Sequence, residues 1–144
     1  MSERLPRPYP GLVLSYSFLW TDEHQAGREE GVKERPCVVV LAVEQKDNDI
    51  QVTVCPVTHA LPKEPKLAVE IPRHTKMRLG MDDERSWIVV TELNRFIWPG
   101  PDVRPTPLGR WAYGVLSPRL LKKVSSTLLL AYRSRRIALI HRTD

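Results

Sequence analysis

Pro36-Cys37-Val38-Val39-Val40-Leu41-Ala42-Val43, then Glu44-Gln45-Lys46-Asp47-Asn48-Asp49, then Ile50-Gln51-Val52-Thr53-Val54-Cys55-Pro56-Val57 make two β-branched runs around a polar bridge. Branched side chains are crowded on a helix and fit a pleated surface, while Asp47 and Asn48 suit a turn, so the stretch reads as an antiparallel hairpin. With the turn centred near Asp47, Thr58 falls across from Pro36 and Cys37 and close to Arg35. Two polar residues far apart in sequence thereby share the open end of one hairpin.

Outward from this hairpin the chain continues as short strands. Leu12, Leu14, Tyr16, Phe18 and Trp20 keep a two-residue period after Gly11 and predict a first strand with one face on a core. The polar stretch Thr21 to Glu34, with Gly27 and Gly31, predicts a long mobile loop of the length that tends to carry function. Leu67–Ile71 and Ser86–Leu93 predict two further strands, joined by a loop bearing Arg73, His74, Lys76, Arg78 and Gly80. Phe96 to Pro105 is too rich in proline for a central strand and reads as an irregular edge segment. Ser117-Pro118 is a helix start, and Leu120, Leu121, Val124, Leu128, Ala131 and Tyr132 follow at helical spacing, predicting one amphipathic helix over about Pro118–Arg133. Ile137–Ile140 fits either a short strand or a helical extension.

The length of 144 residues fits a single domain over 1–144, with 1–10 as an extension and 133–144 as a basic tail. No stretch approaches the roughly 18 apolar residues of a membrane span. Met1 to Pro10 holds Glu3, Arg4, Arg7 and three prolines where a secretory signal needs apolar residues, so a cytoplasmic location is expected. Cys37 and Cys55 lie in valine-rich runs and read as reduced, buried or half-buried thiols. Net charge is +5, unevenly spread: Arg110, Arg119, Lys122, Lys123, Arg133, Arg135, Arg136 and Arg142 stand against Asp144 alone, while Asp22, Glu23, Glu29, Glu30 and Glu34 gather near the front. The basic end would suit nucleic acid or an acidic peptide; a solvated helix face with a basic tail is the plain alternative.

The four histidines and two cysteines show no paired ligand spacing, so no metal and no cofactor are expected. No phosphate-cradling glycine loop and no Gly-x-Ser-x-Gly elbow is present. What remains is the Arg35 and Thr58 corner. A guanidinium beside a hydroxyl, with Pro36 and Pro56 freeing backbone groups, can grip a phosphate from several directions. An ion pair from Arg35 to a loop carboxylate such as Glu34, with Thr58 merely ending a strand, is the alternative.

Gly11–Tyr16, Lys33-Glu34-Arg35-Pro36-Cys37-Val38-Val39-Val40, Val54-Cys55-Pro56-Val57-Thr58 and Ser86–Asn94 resemble, in order and spacing, the successive strand motifs of the MazF/PemK family of toxin–antitoxin ribonucleases. His24-Gln25-Ala26-Gly27 is similar to the family's loop before the Arg-Pro pair, and Gly114-Val115-Leu116-Ser117 to its lead into the last helix, so about residues 11 to 132 are covered. The resemblance implies a mainly β fold, an SH3-like barrel of the MazF/PemK/CcdB type with a C-terminal helix. It also implies metal-independent cleavage of single-stranded RNA, in which a ribose 2′-hydroxyl attacks the adjacent phosphate and leaves a 2′,3′-cyclic phosphate and a 5′-hydroxyl.

Arg35 and Thr58 become the implied catalytic pair, Arg35 for charge and Thr58 for holding the phosphate or the attacking hydroxyl. The chain departs from the pattern in a longer loop before Arg35, in His24 where some members have glutamate, and in Thr91-Glu92 where an acid precedes glutamine. His24, then Glu92, then His59 are the candidates for proton transfer. His59, Lys33, Arg73, Lys76 and Arg78 are the expected RNA contacts, Trp98 and Trp111 are expected in the core rather than under bases, and the expected partners are an acidic antitoxin crossing a basic groove over Arg35 and a second copy covering Ile97, Trp98 and Trp111. A non-catalytic binding module or a gyrase-poison-like toxin on the same fold is the competing reading; His141-Arg142-Thr143-Asp144 shows none of the terminal contact residues expected of the latter.

Overall fold

The computed structural model describes residues 4–28, 31 and 33–142. The predicted hairpin is β2 (Arg35–Glu44) and β3 (Ile50–Thr58), paired antiparallel. Leu41 faces Thr53 near the turn, but an irregularity at Val40 shifts the register so that Cys37 faces Pro56. One residue absorbed there brings Arg35, rather than Pro36, to the level of Thr58.

β1 (Leu12–Tyr16) lies along the other edge of β2, with Val13 opposite Val38 and Tyr16 opposite Arg35. All five β1 residues are buried, where one buried face was expected. The reason is that the sheet is covered on both sides. Val13, Val38, Cys55 and Val57 face one cluster with Ile88, Leu120, Val124 and Ala131; Leu12, Leu14, Tyr16, Cys37, Val39 and Val54 face another with Phe18, Val52, Phe96 and Val103. The two thiols are therefore free, buried and on opposite faces, and burial raises both their pKa values.

Ser86–Leu93 is not one strand. β5 (Trp87–Val89) pairs with Val57 and Thr58, the chain bends at Val90 and Thr91, and β6 (Glu92–Ile97) pairs with Gln51–Val54 on the same edge of β3. β6 thus continues through Phe96 and Ile97 into the segment expected to be irregular, and the remainder of that segment holds the two-residue β7 (Val103–Arg104) against β1. β4 (Ala68–Glu70), preceded by a 3₁₀ turn at Pro65–Leu67, pairs with β5, and β8 (Ala112–Val115) pairs with β1 around a bulge. Gly114 sits at φ +141 in that bulge, and a Cβ there would meet Leu79 at 2.8 Å. Trp98 and Trp111 are half-buried and pack against the second cluster from outside it, not in the core as expected.

The architecture is mainly β with a C-terminal helix, as the resemblance implies, but the sheet is not closed into a barrel. Its path runs β4-β5-β3-β2-β1-β7, and the end strands do not meet. β7 offers too short a ladder between Pro101 and Pro105, and Pro72 stops the chain just after β4.

The polar loop expected over Thr21–Glu34 contains a helix, α1 (Thr21–Gln25), and the loop expected to carry Arg73–Arg78 is itself α2 (Arg73–Arg78). α3 (Pro118–Arg133) matches its predicted bounds; Ser117 caps it by accepting from Leu120 N at 3.2 Å. It buries Leu120, Val124 and Ala131, and each Leu or Val so buried contributes about 1.5–3 kcal/mol.

The expected basic tail is folded in. β9 (Ala138–His141) runs parallel to β6, and Arg142 beyond it is 9% exposed. Its guanidinium donates to Ser17 O at 2.8 Å and Asn94 Oδ1 at 2.9 Å and lies 3.1 Å from Asp102. Thr143 and Asp144 lie outside the described residues. Among the described residues no helix is long and apolar enough to cross a membrane.

Candidate functional site

The open end of the hairpin forms one wall of a groove of about 1230 Å³. Arg35 and Thr58 both line it, as do Lys33, His59 and Glu92. Arg35 begins β2, and its Nη1 donates to the carbonyl of Val57, next to Thr58, at 3.3 Å. Its guanidinium carbon sits 5.0 Å from the centre of the Trp20 ring. Arg35 Nε is buried without a hydrogen-bond partner, as is Thr21 Oγ1 in the same wall. Desolvation lowers the Arg35 pKa, only partly offset by Cys37 and Glu23.

Trp20 reaches Arg35 because the chain leaving β1 is pinned. Asn94 on β6 accepts from Leu19 N at 2.9 Å and donates to Leu19 O at 2.8 Å, copying a strand partner for a residue outside any strand. Glu92 accepts from Thr21 N at 2.7 Å and Glu23 from Trp20 N at 3.0 Å, so two carboxylates hold the start of α1. On the far side of the loop, Gly31 passes so close to Phe18 O that a Cβ would sit 2.1 Å from it. Only glycine lets the chain return there to present Lys33, Glu34 and Arg35.

Thr58 Oγ1 accepts from Ala60 N at 3.1 Å. The adjacent His59 places Nε2 2.8 Å from Asp82 and Nδ1 3.5 Å from Glu84. Asp82 is in turn held by Lys76, whose ammonium is 2.6 Å from Asp82 Oδ1 and from Ser86 Oγ and also donates to the carbonyl of Glu84. Desolvation alone would raise the Asp82 pKa, but the Lys76 hydrogen bond, with help from His59 and the Glu84 amide, sets it below the ordinary carboxylate value. His59, Asp82 and Glu84 bring three ligand atoms within 4.8 Å, yet Lys76 already occupies one Asp82 oxygen with a positive charge. That arrangement suits a histidine–carboxylate pair better than a metal site.

Several expected site residues lie elsewhere. His24 is exposed on α1 and does not line the groove. Arg73 and Arg78 are on α2 outside it, and Arg78 donates to Val115 O at 2.9 Å. Lys76 is only 2% exposed, so it serves as an internal counter-charge and not as an RNA contact; an ammonium that buried must be paired. The groove is not basic either: Asp22, Glu23, Glu34, Glu64, Asp82 and Glu92 line it against Lys33, Arg35 and Lys63. Positive charge was concentrated late in the sequence, and none of those late cations lines this groove. Sequence reading passed over Trp20, Asp82 and Tyr113. Tyr113, half-buried in β8, lines the groove with its pKa raised by desolvation and then by Cys37, Asp82 and Glu34. Only the two-residue period ending at Trp20 hinted at any of them.

No match was found among curated proteins. The family described as PemK-like, MazF-like toxin of type II toxin–antitoxin system matches residues 16–96, from the end of β1 through the hairpin, the His59 side of the groove and the Glu92–Asn94 clamp. With more than half of its length matched, and with Arg35 and Thr58 inside the matched span, this chain belongs to the PemK-like, MazF-like family of type II toxins.

Proposed function

We propose that this toxin is an endoribonuclease that cuts single-stranded RNA in the Arg35 groove, without a metal cofactor and in the cytoplasm. The observation that carries the reading is a partly desolvated guanidinium set beside a threonine hydroxyl and a carboxylate-held histidine in one groove. In the reaction the ribose 2′-oxygen bonds to phosphorus and the bond from phosphorus to the 5′-oxygen breaks. A proton moves overall from the 2′-oxygen to the 5′-oxygen, so no co-reactant is needed.

Arg35 donates to the non-bridging oxygens as charge builds on them, and Thr58 hydrogen-bonds the same phosphate. His59 replaces His24 as first candidate for the proton. Its Nε2 is committed to Asp82, and the looser Nδ1 is the nitrogen left for substrate. Glu92, spent on the Thr21 amide, acts by placing α1. Lys33, exposed on the groove rim, supplies a phosphate contact.

Purified protein incubated with a long single-stranded RNA in EDTA is expected to yield 2′,3′-cyclic phosphate and 5′-hydroxyl ends. Arg35→Ala and Thr58→Val should each lower the rate by about 10² to 10³, with the double variant little worse than Arg35→Ala because the pair acts as a unit. His59→Ala should cost about 10². Cleavage by folded Arg35→Ala within twofold of wild type would leave the non-catalytic module as the better reading. We also propose a homodimer, since Ile97, Trp98 and Trp111 remain only partly buried; sedimentation showing nothing above the 16.6 kDa monomer at micromolar concentration would contradict it.

A further inference from the structure

From Val103 to Thr143 the sequence contains no aspartate or glutamate. Most of that stretch is α3 and its flanks. Arg119, Lys122, Lys123, Arg133 and Arg135 are all exposed there, and none has an ion-pair partner among the described residues. Beside them on the solvent side of the helix stand Leu129 at 46%, Leu130 at 48% and Tyr132 at 71% exposure. The inward face is already spent on Leu120, Val124 and Ala131. The outward face therefore has unpaired cations toward its first half and uncovered apolar side chains toward its second. Lys122 and Lys123 precede Leu129 and Leu130 by two turns, about 10 Å along the axis.

We propose that this face of α3 is the docking surface for the neutralising antitoxin, through an acidic segment that carries apolar side chains about 10 Å from its carboxylates. The proposal rests on the toxin reading only for the existence of such a partner. Charge and hydrophobicity together select the occupant. A second copy would set five unpaired cations against the same five across a two-fold axis. An RNA backbone would neutralise the cations and leave Leu129 and Leu130 uncovered. An acidic amphipathic peptide satisfies both, with the cations speeding encounter and the leucines slowing release.

The location also suits inhibition. Arg136, just past α3, lies 3.7 Å from Glu64, and Glu64 lines the Arg35 groove. A partner reaching past the C-terminal end of α3 would meet Arg136 and, through it, a residue of the groove wall. Six carboxylates line that groove, whereas the sequence from Val103 to Thr143 has none, so the helix face is the better seat for an acidic peptide than Arg35.

The test uses a synthetic helical peptide with a glutamate pair and a leucine pair two turns apart, a version with serines for the leucines, and a single-stranded 2′-O-methyl RNA that resists cleavage, each read by fluorescence anisotropy. Lys122→Glu/Lys123→Glu is expected to weaken peptide binding at least about tenfold, and Leu129→Ser/Leu130→Ser at least about fivefold. The serine peptide should bind wild type as weakly as the leucine peptide binds the serine variant. RNA cleavage and 2′-O-methyl RNA binding should stay within twofold in both variants. All four positions are exposed, and circular dichroism checks folding, with Lys122→Gln/Lys123→Gln as the milder form. Peptide binding indifferent to both double variants overturns the proposal, as does loss of 2′-O-methyl RNA binding without loss of peptide binding, which would make α3 an RNA track. A wild-type protein that binds the peptide in this pattern but cuts no RNA would sink the nuclease reading and leave the docking surface standing.

Discussion

Two polar assemblies flank the Arg35 and Thr58 corner, and they are built differently. Behind Trp20, Arg142 and Asp102 have side chains only 3% and 9% exposed, and Asn94 is fully buried. Beyond Thr58, Lys76 is as deeply buried, but Asp82 is half exposed and His59 nearly so. The first assembly is closed on every side and ties β9, β6 and the end of β1 together. The second has a buried anchor and an exposed end in the groove. A group that must meet substrate needs water access and room to exchange partners, whereas a group that must hold a backbone in place does so best when nothing competes for its hydrogen bonds.

Substitutions can break this contrast, starting with the largest effect. Arg142→Met removes the counter-charge of buried Asp102 and should cost about 3–5 kcal/mol, read as a lower urea midpoint. A loss under 1 kcal/mol would mean the closed assembly is not what holds β9. Asn94→Leu strands Leu19 N and O and should cost about 2–3 kcal/mol; because it frees Trp20, cleavage per folded molecule should fall about tenfold while Arg35 itself is untouched. If only stability changes, the clamp does not act through Trp20.

Lys76→Met should be milder, about 1–2 kcal/mol at neutral pH, since Asp82 keeps water on one side. Here pH sharpens the comparison. The folded pKa of Asp82 lies below its ordinary value, so its contribution is fully present above that ordinary value of about 3.9 and is lost as pH falls through the folded one. The gap between wild type and Lys76→Met should therefore narrow in acid, and a gap that widens would contradict the pairing. At the bottom of the scale, Arg7→Ala breaks an ion pair to Glu44 whose side chains are 69% and 67% exposed, and the thermal midpoint should not move measurably.

Much of the site was legible before folding was considered. Arg35 and Thr58 could be brought together because a hairpin converts sequence distance into a register, and an error of one residue at the Val40 irregularity did not separate them. The structure separates His24 from His59 where the sequence could not: His59 lines the groove and His24 does not. Both are exposed histidines, and what distinguishes them is Asp82 arriving from another segment, positioned by a lysine that looked like a surface cation.

Local pattern by itself determined the hairpin, the α3 boundaries, the two buried cysteines and the Arg35–Thr58 corner, because each depends on periodicity, a turn or a cap within a few residues. Only the tertiary structure decided that the sheet stays open, that Arg142 closes a buried network, that the groove is acid-lined and that the cations of α3 face outward without an ion-pair partner among the described residues. Those outcomes turn on which distant side chain a charge meets. A sequence displays the charge of a lysine or arginine but not its partner, and the partner decides whether that charge is structural, catalytic or left for another molecule.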